Sequence, residues 1–189
     1  FSQLYGQGET PMTITAMNER IHAANTHPRW ESRMMSVGTP QSAVEVKVVG
    51  RSGAELEVGE TGEIIVRGDT VMSGYWNNDL ASEKTLRDGW LYTGDNGFFD
   101  EDGFLTLQGR SNDLIISGGS NIYPRELEEL LLTHADVSEV SVIGKPDPEW
   151  GEAVVAYLVL VPGVELDTAG LDQFCIDNIA RFKRPKHYR

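Results

Sequence analysis

The sequence is short of cysteine, long apolar runs and positive charge, and each shortage removes a class of protein. Its one cysteine, Cys175, allows no internal disulfide and fits a reducing compartment; a cytoplasmic location is the expectation. No apolar stretch approaches the roughly 20 residues that a membrane-spanning helix needs, so no span is expected. Lys and Arg number 16 against 29 Asp and Glu, a formal net charge of −13, which disfavours non-specific binding to nucleic acid or anionic membranes. The histidines His22, His27, His134 and His187 lie on separate segments without metal-ligand spacing. No Ser-His-Asp or Cys-His set has an anchor beyond single residues, and there is no internal repeat or low-complexity tract.

What is present is the composition of a folded protein. Hydrophobic residues make up 40% and charged residues 24%, which argues against disorder, and 189 residues suffice for one large or two small domains. The first residues, Phe1 to Tyr5, are neither a basic leader nor an apolar signal core, so the chain is expected to be a segment of a longer one. One local charge asymmetry stands out. Arg181, Lys183, Arg184, Lys186 and Arg189 all fall in the last nine positions.

Residues 1–36 show no strong period and have turn-like stretches at Gly6-Gln7-Gly8 and Thr26-His27-Pro28. From Val44 the pattern alternates, with Val44, Val46 and Val48 on one face and Glu45 and Lys47 on the other, which predicts a half-buried strand. A second strand is expected over Glu63 to Gly68 and a hairpin around Asp100-Glu101-Asp102-Gly103, so residues 37–110 read as an all-β unit. The acids of that hairpin lack the spacing and distal Glu of a calcium loop and read as a solvated turn. After Gly109 the character changes. Leu114-Ile115-Ile116 reads as a short strand ending at Gly118-Gly119. Pro124 suits the first turn of a helix whose Leu127, Leu130 and Leu131 share one face. Strands are expected over Val140 to Ile143 and Val154 to Val161. A last helix, capped by Asp167 or Thr168, should bury Leu171, Phe174, Cys175 and Ile179 and end at Pro185. Cys175 then reads as a buried thiol rather than a nucleophile. The expected class is α+β, a β-rich part followed by a small α+β domain.

Five segments carry the functional reading: Tyr5-Gly6-Gln7-Gly8-Glu9; Gly62-Glu63-Ile64 with Gly74-Tyr75-Trp76; Tyr92-Thr93-Gly94-Asp95; Gly109-Arg110-Ser111-Asn112-Asp113 through Glu126-Leu127-Glu128; and Phe182-Lys183-Arg184-Pro185-Lys186. In this order they resemble the adenylate-forming superfamily of acyl- and aryl-CoA synthetases, peptide-synthetase adenylation domains and beetle luciferases. The resemblance covers essentially the whole chain. It implies that residues 1–111 are the β-rich end of a large AMP-binding N-terminal domain and that residues 112–189 are a mobile C-terminal α+β domain.

Site roles follow from the resemblance. Tyr5 would stack on adenine, with Gly6 letting the backbone approach, and Glu9 would help hold the Mg²⁺ that accompanies ATP. Gly8 stands where the family usually has Thr or Ser, removing a hydroxyl contact to the α-phosphate. Asp95 would accept hydrogen bonds from the ribose diol, and Arg110 would contact ribose or phosphate. Asn112 occupies the hinge position, usually Asp or Lys. Gly118 and Gly119 would line the path of the CoA pantetheine arm, while Phe182, Arg184 and Lys186 would take the CoA adenine and phosphates. The plain alternatives are a surface turn at Tyr5 to Glu9, a hairpin turn at Asp95, a surface ion pair at Arg110, a strand-to-turn glycine pair and a solvated basic face.

The implied activity is an ATP-dependent acid–CoA ligase using a small carboxylic acid, ATP and CoA and passing through AMP. The alternatives are a peptide-synthetase adenylation domain, whose acceptor is a carrier-bound phosphopantetheine, and a non-catalytic nucleotide-binding module. The family's phosphate loop would lie upstream of Phe1 and its adenylation lysine downstream of Arg189, so the 189 residues alone are expected to form no adenylate.

Overall fold

A computed structural model describes all of residues 1–189 and divides them into two compact units, Phe1–Ser111 and Asn112–Arg189. No helix is long and apolar enough to cross a membrane.

The first unit opens on a hairpin that the sequence pattern conceals. β1 (Gln3–Gln7) pairs antiparallel with β2 (Thr10–Met17), and β3 (Thr39–Pro40) adds to the other edge of β2. The period is hidden because β2 buries threonines beside its apolar residues. Thr10, Ile14, Thr15 and Met17 are each fully buried, and Thr15 Oγ1 donates to Val37 O at 2.6 Å. The turn-like reading of Gly6-Gln7-Gly8 is therefore corrected for Gly6 and Gln7, which belong to β1, while Gly8 does lie in the turn. Glycine at position 6 answers a close approach: a Cβ there would lie 2.3 Å from Met12 N. Two short helices, α1 (Glu19–Ala23) and α2 (Trp30–Met34), connect β2 to β3. From α2 and its N-cap, Arg33 and Arg29 reach the acids of the predicted hairpin, pairing with Asp102 at 3.0 Å and Glu101 at 2.7 Å.

A five-stranded sheet follows. β4 (Val44–Val49) and β5 (Gly62–Gly68) pair antiparallel, and β5 pairs with β7 (Trp90–Phe99). β7 is long enough to pair also with β6 (Leu86–Arg87) near its start and β8 (Leu105–Arg110) near its end. Ile64, Val66, Leu91 and Leu105 build the core, with Tyr5, Ile14 and Val48 packed among them. The unit is not all-β, because α3 (Asp79–Thr85) lies between β5 and β6. It buries no residue and so leaves no apolar period to read; its only signature is Asn78, whose side chain accepts from Ala81 N.

In the second unit β9 (Ile115–Ser117) and β10 (Ser120–Ile122) form a tight hairpin, followed by α4 (Pro124–Leu132), β11 (Val137–Asp147), β12 (Gly151–Leu160), α5 (Thr168–Asn178) and β13 (His187–Tyr188). The sheet order is β10-β9-β12-β11, with β13 parallel to β12. Leu127 and Leu131 of α4 and Leu171 and Cys175 of α5 cover this sheet and close the core. Burial pushes the Cys175 thiol up from its ordinary range, which makes it an inert core group. Asp167 caps α5 by accepting from Ala169 N and Gly170 N. The helix ends at Asn178, not at Pro185: Ile179 is already extended, and Pro185 lies buried on the approach to β13. Pro146 sits in β11, where a missing N–H is tolerated because β11 is an edge strand.

Candidate functional site

In the first unit the chemistry gathers where β1 meets β7 and β8. Asp95 lies near the middle of β7, opposite Arg110 at the end of β8 in the strand register. Thr93 fixes the approach, its Oγ1 donating to Ile64 O at 2.7 Å and accepting from Asp95 N at 3.1 Å. Gly94 between them has φ +71, which favours glycine, and its N–H donates to Glu63 Oε1 at 3.1 Å.

The Asp95 side chain is only 11% exposed and has three partners. Tyr5 Oη and Gln7 Nε2 each donate to Oδ2 at 2.6 Å, and Arg110 Nε lies 3.2 Å from Oδ1. Burial, aided by the Asp95 carboxylate, drives the Tyr5 hydroxyl far above its ordinary range, so it stays protonated and donates. The Arg110 side chain is 62% exposed, which leaves most of its guanidinium free to meet another group. Tyr5 and Asp95 thus come together, but Tyr5 enters through its hydroxyl and is itself 8% exposed.

Glu9 stands at the turn of the same hairpin. Its Oε1 accepts from Tyr75 Oη at 2.5 Å, and its backbone carbonyl accepts from Met72 N at 2.8 Å. The bond to the Glu9 carboxylate raises the Tyr75 hydroxyl above its usual range. Oε2 is left as a hard oxygen donor of the kind a small divalent cation takes alongside phosphates. Gly8 is open: a Cβ there would meet nothing within 4 Å, so the backbone does not require glycine.

The second unit presents a separate set of residues. Asn112 is exposed in the short 3-10 turn Ser111–Asp113. Gly118 and Gly119 form the two-residue turn between β9 and β10, with φ +57 and +80 as a type I′ turn requires. Gly118 is doubly constrained, because a Cβ would also lie 2.8 Å from the Trp150 ring. Gly118 N donates to Trp150 O at 2.8 Å, and Lys186 Nζ lies 4.6 Å from the Trp150 ring centroid. Trp150 therefore joins the glycine turn to Lys186.

Two of the other basic residues turn inward. Lys183 Nζ reaches both oxygens of Glu126 at 2.7 and 2.8 Å, and Arg184 Nε reaches Asp172 Oδ1 at 2.9 Å. Phe182 is 53% exposed. Sequence reasoning missed Gln7 and Trp150. Gln7 stands two places after Tyr5, the spacing of neighbours on one strand face, and reading that segment as a strand would have exposed it. Trp150 sits in a turn with no spacing signal toward Gly118 or Lys186.

Comparison with known proteins supplies the family. The profile of the AMP-binding enzyme matches residues 1–76, and that of the AMP-binding enzyme C-terminal domain matches residues 126–189. An indoleacetate–CoA ligase of Aromatoleum aromaticum is 46% identical over 184 residues, covering 97% of this chain and 34% of that protein. A sulfoacetate–CoA ligase of Cupriavidus necator is 42% identical over 160 residues, covering 84% of this chain and 31% of that protein. The o-succinylbenzoate CoA synthetase of Bacillus subtilis, solved with its acyl-adenylate intermediate, superposes with a TM-score of 0.85 at 38% identity, covering 99% of this chain and 36% of that one. The same enzyme solved with ATP and a magnesium ion gives 0.83 at 37% identity, with coverages of 99% and 37%. The chain spans about a third of the length of the relatives it matches.

Proposed function

The chain belongs to the AMP-binding enzyme family, and on that premise we propose that it is the ribose-binding and CoA-binding part of a cytoplasmic AMP-forming acid–CoA ligase. The observation that carries the reading is the Asp95 carboxylate. It is buried and held from one side by Tyr5 and Gln7, and its Oδ1 stands beside an exposed guanidinium. That is an acceptor prepared for hydroxyls next to a cation prepared for phosphate.

The reaction has two halves. A carboxylate oxygen of the acid attacks the α-phosphorus of ATP, forming the acyl-adenylate and releasing pyrophosphate. The CoA sulfur then attacks the acyl carbon, AMP leaves, and the thiol proton passes to solvent. Asp95 orients the ribose, Arg110 offsets negative charge, and the buried Tyr5 acts through its hydroxyl, which holds Asp95. Glu9 would hold Mg²⁺, which neutralises phosphate charge when bound. Asn112 serves as the hinge between the two half-reactions. Gly118, Gly119, Trp150 and Lys186, with Phe182 and Arg184, receive CoA.

The acid itself is open, since relatives of similar identity act on indoleacetate and sulfoacetate. The test is a ligation screen of the longer enzyme containing this chain against short, long and aromatic acids. AMP and an acyl-CoA should appear together, and only when acid, ATP and CoA are all present. Adenylate delivered only to a carrier-bound phosphopantetheine would transfer the chain to the peptide-synthetase reading; no adenylate with any acid would sink the proposal.

Glu9 supports a smaller prediction. Tyr75→Phe removes the hydrogen bond that fixes Oε1, and a bond to a carboxylate contributes about 1.5 kcal/mol at the lower end. The Mg²⁺ concentration for half-maximal activity should rise about ten-fold, with the KM for the acid unchanged; a magnesium titration of both enzymes checks it.

A further inference from the structure

Asp95 can accept from a ribose only if its carboxylate is turned the right way, and a glutamine with no assigned role makes one of the contacts that turn it. Gln7 Nε2 donates to Asp95 Oδ2 at 2.6 Å and to Thr93 O at 3.0 Å. Both partners are acceptors, so the amide has one orientation only, with its nitrogen toward them. The two contacts tie Gln7 to the strand segment Thr93–Asp95 from 88 residues away in sequence. Tyr5 Oη donates to the same Oδ2 at 2.6 Å.

An oxygen of a carboxylate offers about two lone-pair sites, and these two donors fill both on Oδ2. Oδ1 has a single partner, Arg110 Nε at 3.2 Å, and keeps one site open. The pair Tyr5 and Gln7 therefore fixes the side-chain rotation and directs the remaining acceptor site to Oδ1.

We propose that Gln7 is a positioning residue that locks the Asp95 carboxylate, through the Nε2 to Oδ2 hydrogen bond, so that Oδ1 alone is presented to a ribose hydroxyl of the nucleotide. The inference rests on the reading of Asp95 as the ribose acceptor. It predicts that Gln7 acts on discrimination between nucleotides with and without ribose hydroxyls, and only through Asp95. A residue needed merely for folding would weaken both kinds of nucleotide equally.

The experiment measures AMP and 2′,3′-dideoxy-AMP binding by calorimetry to the longer enzyme, for wild type, Gln7→Met, Gln7→Ala and Asp95→Asn. Methionine keeps the length of glutamine without its donor, and alanine guards against a packing artefact of the first variant. Wild type should prefer AMP, and both Gln7 variants should lose about ten-fold of that preference, chiefly through weaker AMP binding. Binding of the dideoxy nucleotide and of the acid should stay within about two-fold. Equal loss for both nucleotides, or an unchanged preference in a folded variant, overturns the inference. Asp95→Asn separates the two levels. If it abolishes the preference while the Gln7 variants keep it, Gln7 alone is refuted; if Asp95→Asn also keeps the preference, the ribose reading falls and this inference with it.

Discussion

Asp95→Asn is expected to lower kcat/KM for ATP by about 100-fold or more and to destabilise the first unit at the same time. The buried carboxylate accepts from Tyr5 and Gln7 on one oxygen and faces Arg110 with the other. Asparagine has one acceptor and one donor, so in either orientation its NH₂ meets a donor. Turned toward Oδ2's partners it opposes the Gln7 amide; turned the other way it opposes Arg110 Nε. A hydrogen bond to a charged group is worth about 1.5–3 kcal/mol, and about 1.4 kcal/mol is ten-fold in affinity. Losing the ribose contact together with the Arg110 pairing therefore accounts for two orders of magnitude. The stability cost is separable. Tyr5→Phe removes one internal donor and leaves the carboxylate charge, so it should lower the melting temperature by a few degrees and affect ATP far less. ATP saturation kinetics and thermal melts of the two variants check this. A KM for ATP in Asp95→Asn within three-fold of wild type would show that the carboxylate is structural only.

How much of this was legible follows from where each signal lives. Where one face is apolar and the other polar, the chain declares itself, as in β4 and in the Leu127 to Leu131 spacing of α4. The β1–β2 hairpin did not, because its buried face carries Thr10 and Thr15 and its closest approach needs Gly6. Helix α3 did not, because nothing on it is buried. Proline misled at the end of α5, where Asn178 already closes the helix and Pro185 does a different job near β13.

The site divides the same way. Segment order was enough to single out Tyr5, Glu9, Asp95 and Arg110 as candidates, since each stands in a short motif. The bonds that set their state span 66 to 90 residues, from Glu9 to Tyr75 and from Tyr5 to Asp95, and no local pattern encodes them. Composition likewise showed a basic end but not that its cations differ in role. Lys183 and Arg184 are held by Glu126 and Asp172, two acids of the helices α4 and α5.

That difference sets the last prediction. Lys186 has a ring beside it rather than a carboxylate: its Nζ lies over Trp150, 4.6 Å from the centroid, and its backbone is pinned by a bond to Val154 O at 2.8 Å. A cation held by a ring keeps its charge available, whereas one paired with a carboxylate must first break that pair to meet a phosphate. Lys186→Ala should therefore raise the KM for CoA about 10- to 100-fold, the loss of one charge-assisted phosphate contact, and leave ATP–pyrophosphate exchange unchanged. Arg184→Ala should act more weakly on CoA and should also loosen the second unit, because Asp172 loses its partner. Raising the salt should weaken CoA binding to wild type more than to Lys186→Ala, as screening removes an interaction that the variant already lacks. Exchange and thioester formation measured separately on each variant decide the matter. If Lys186→Ala slows adenylate formation as much as thioester formation, or if Arg184→Ala is the more damaging to CoA, then the ion pairs seen here do not govern which cation meets the CoA phosphates.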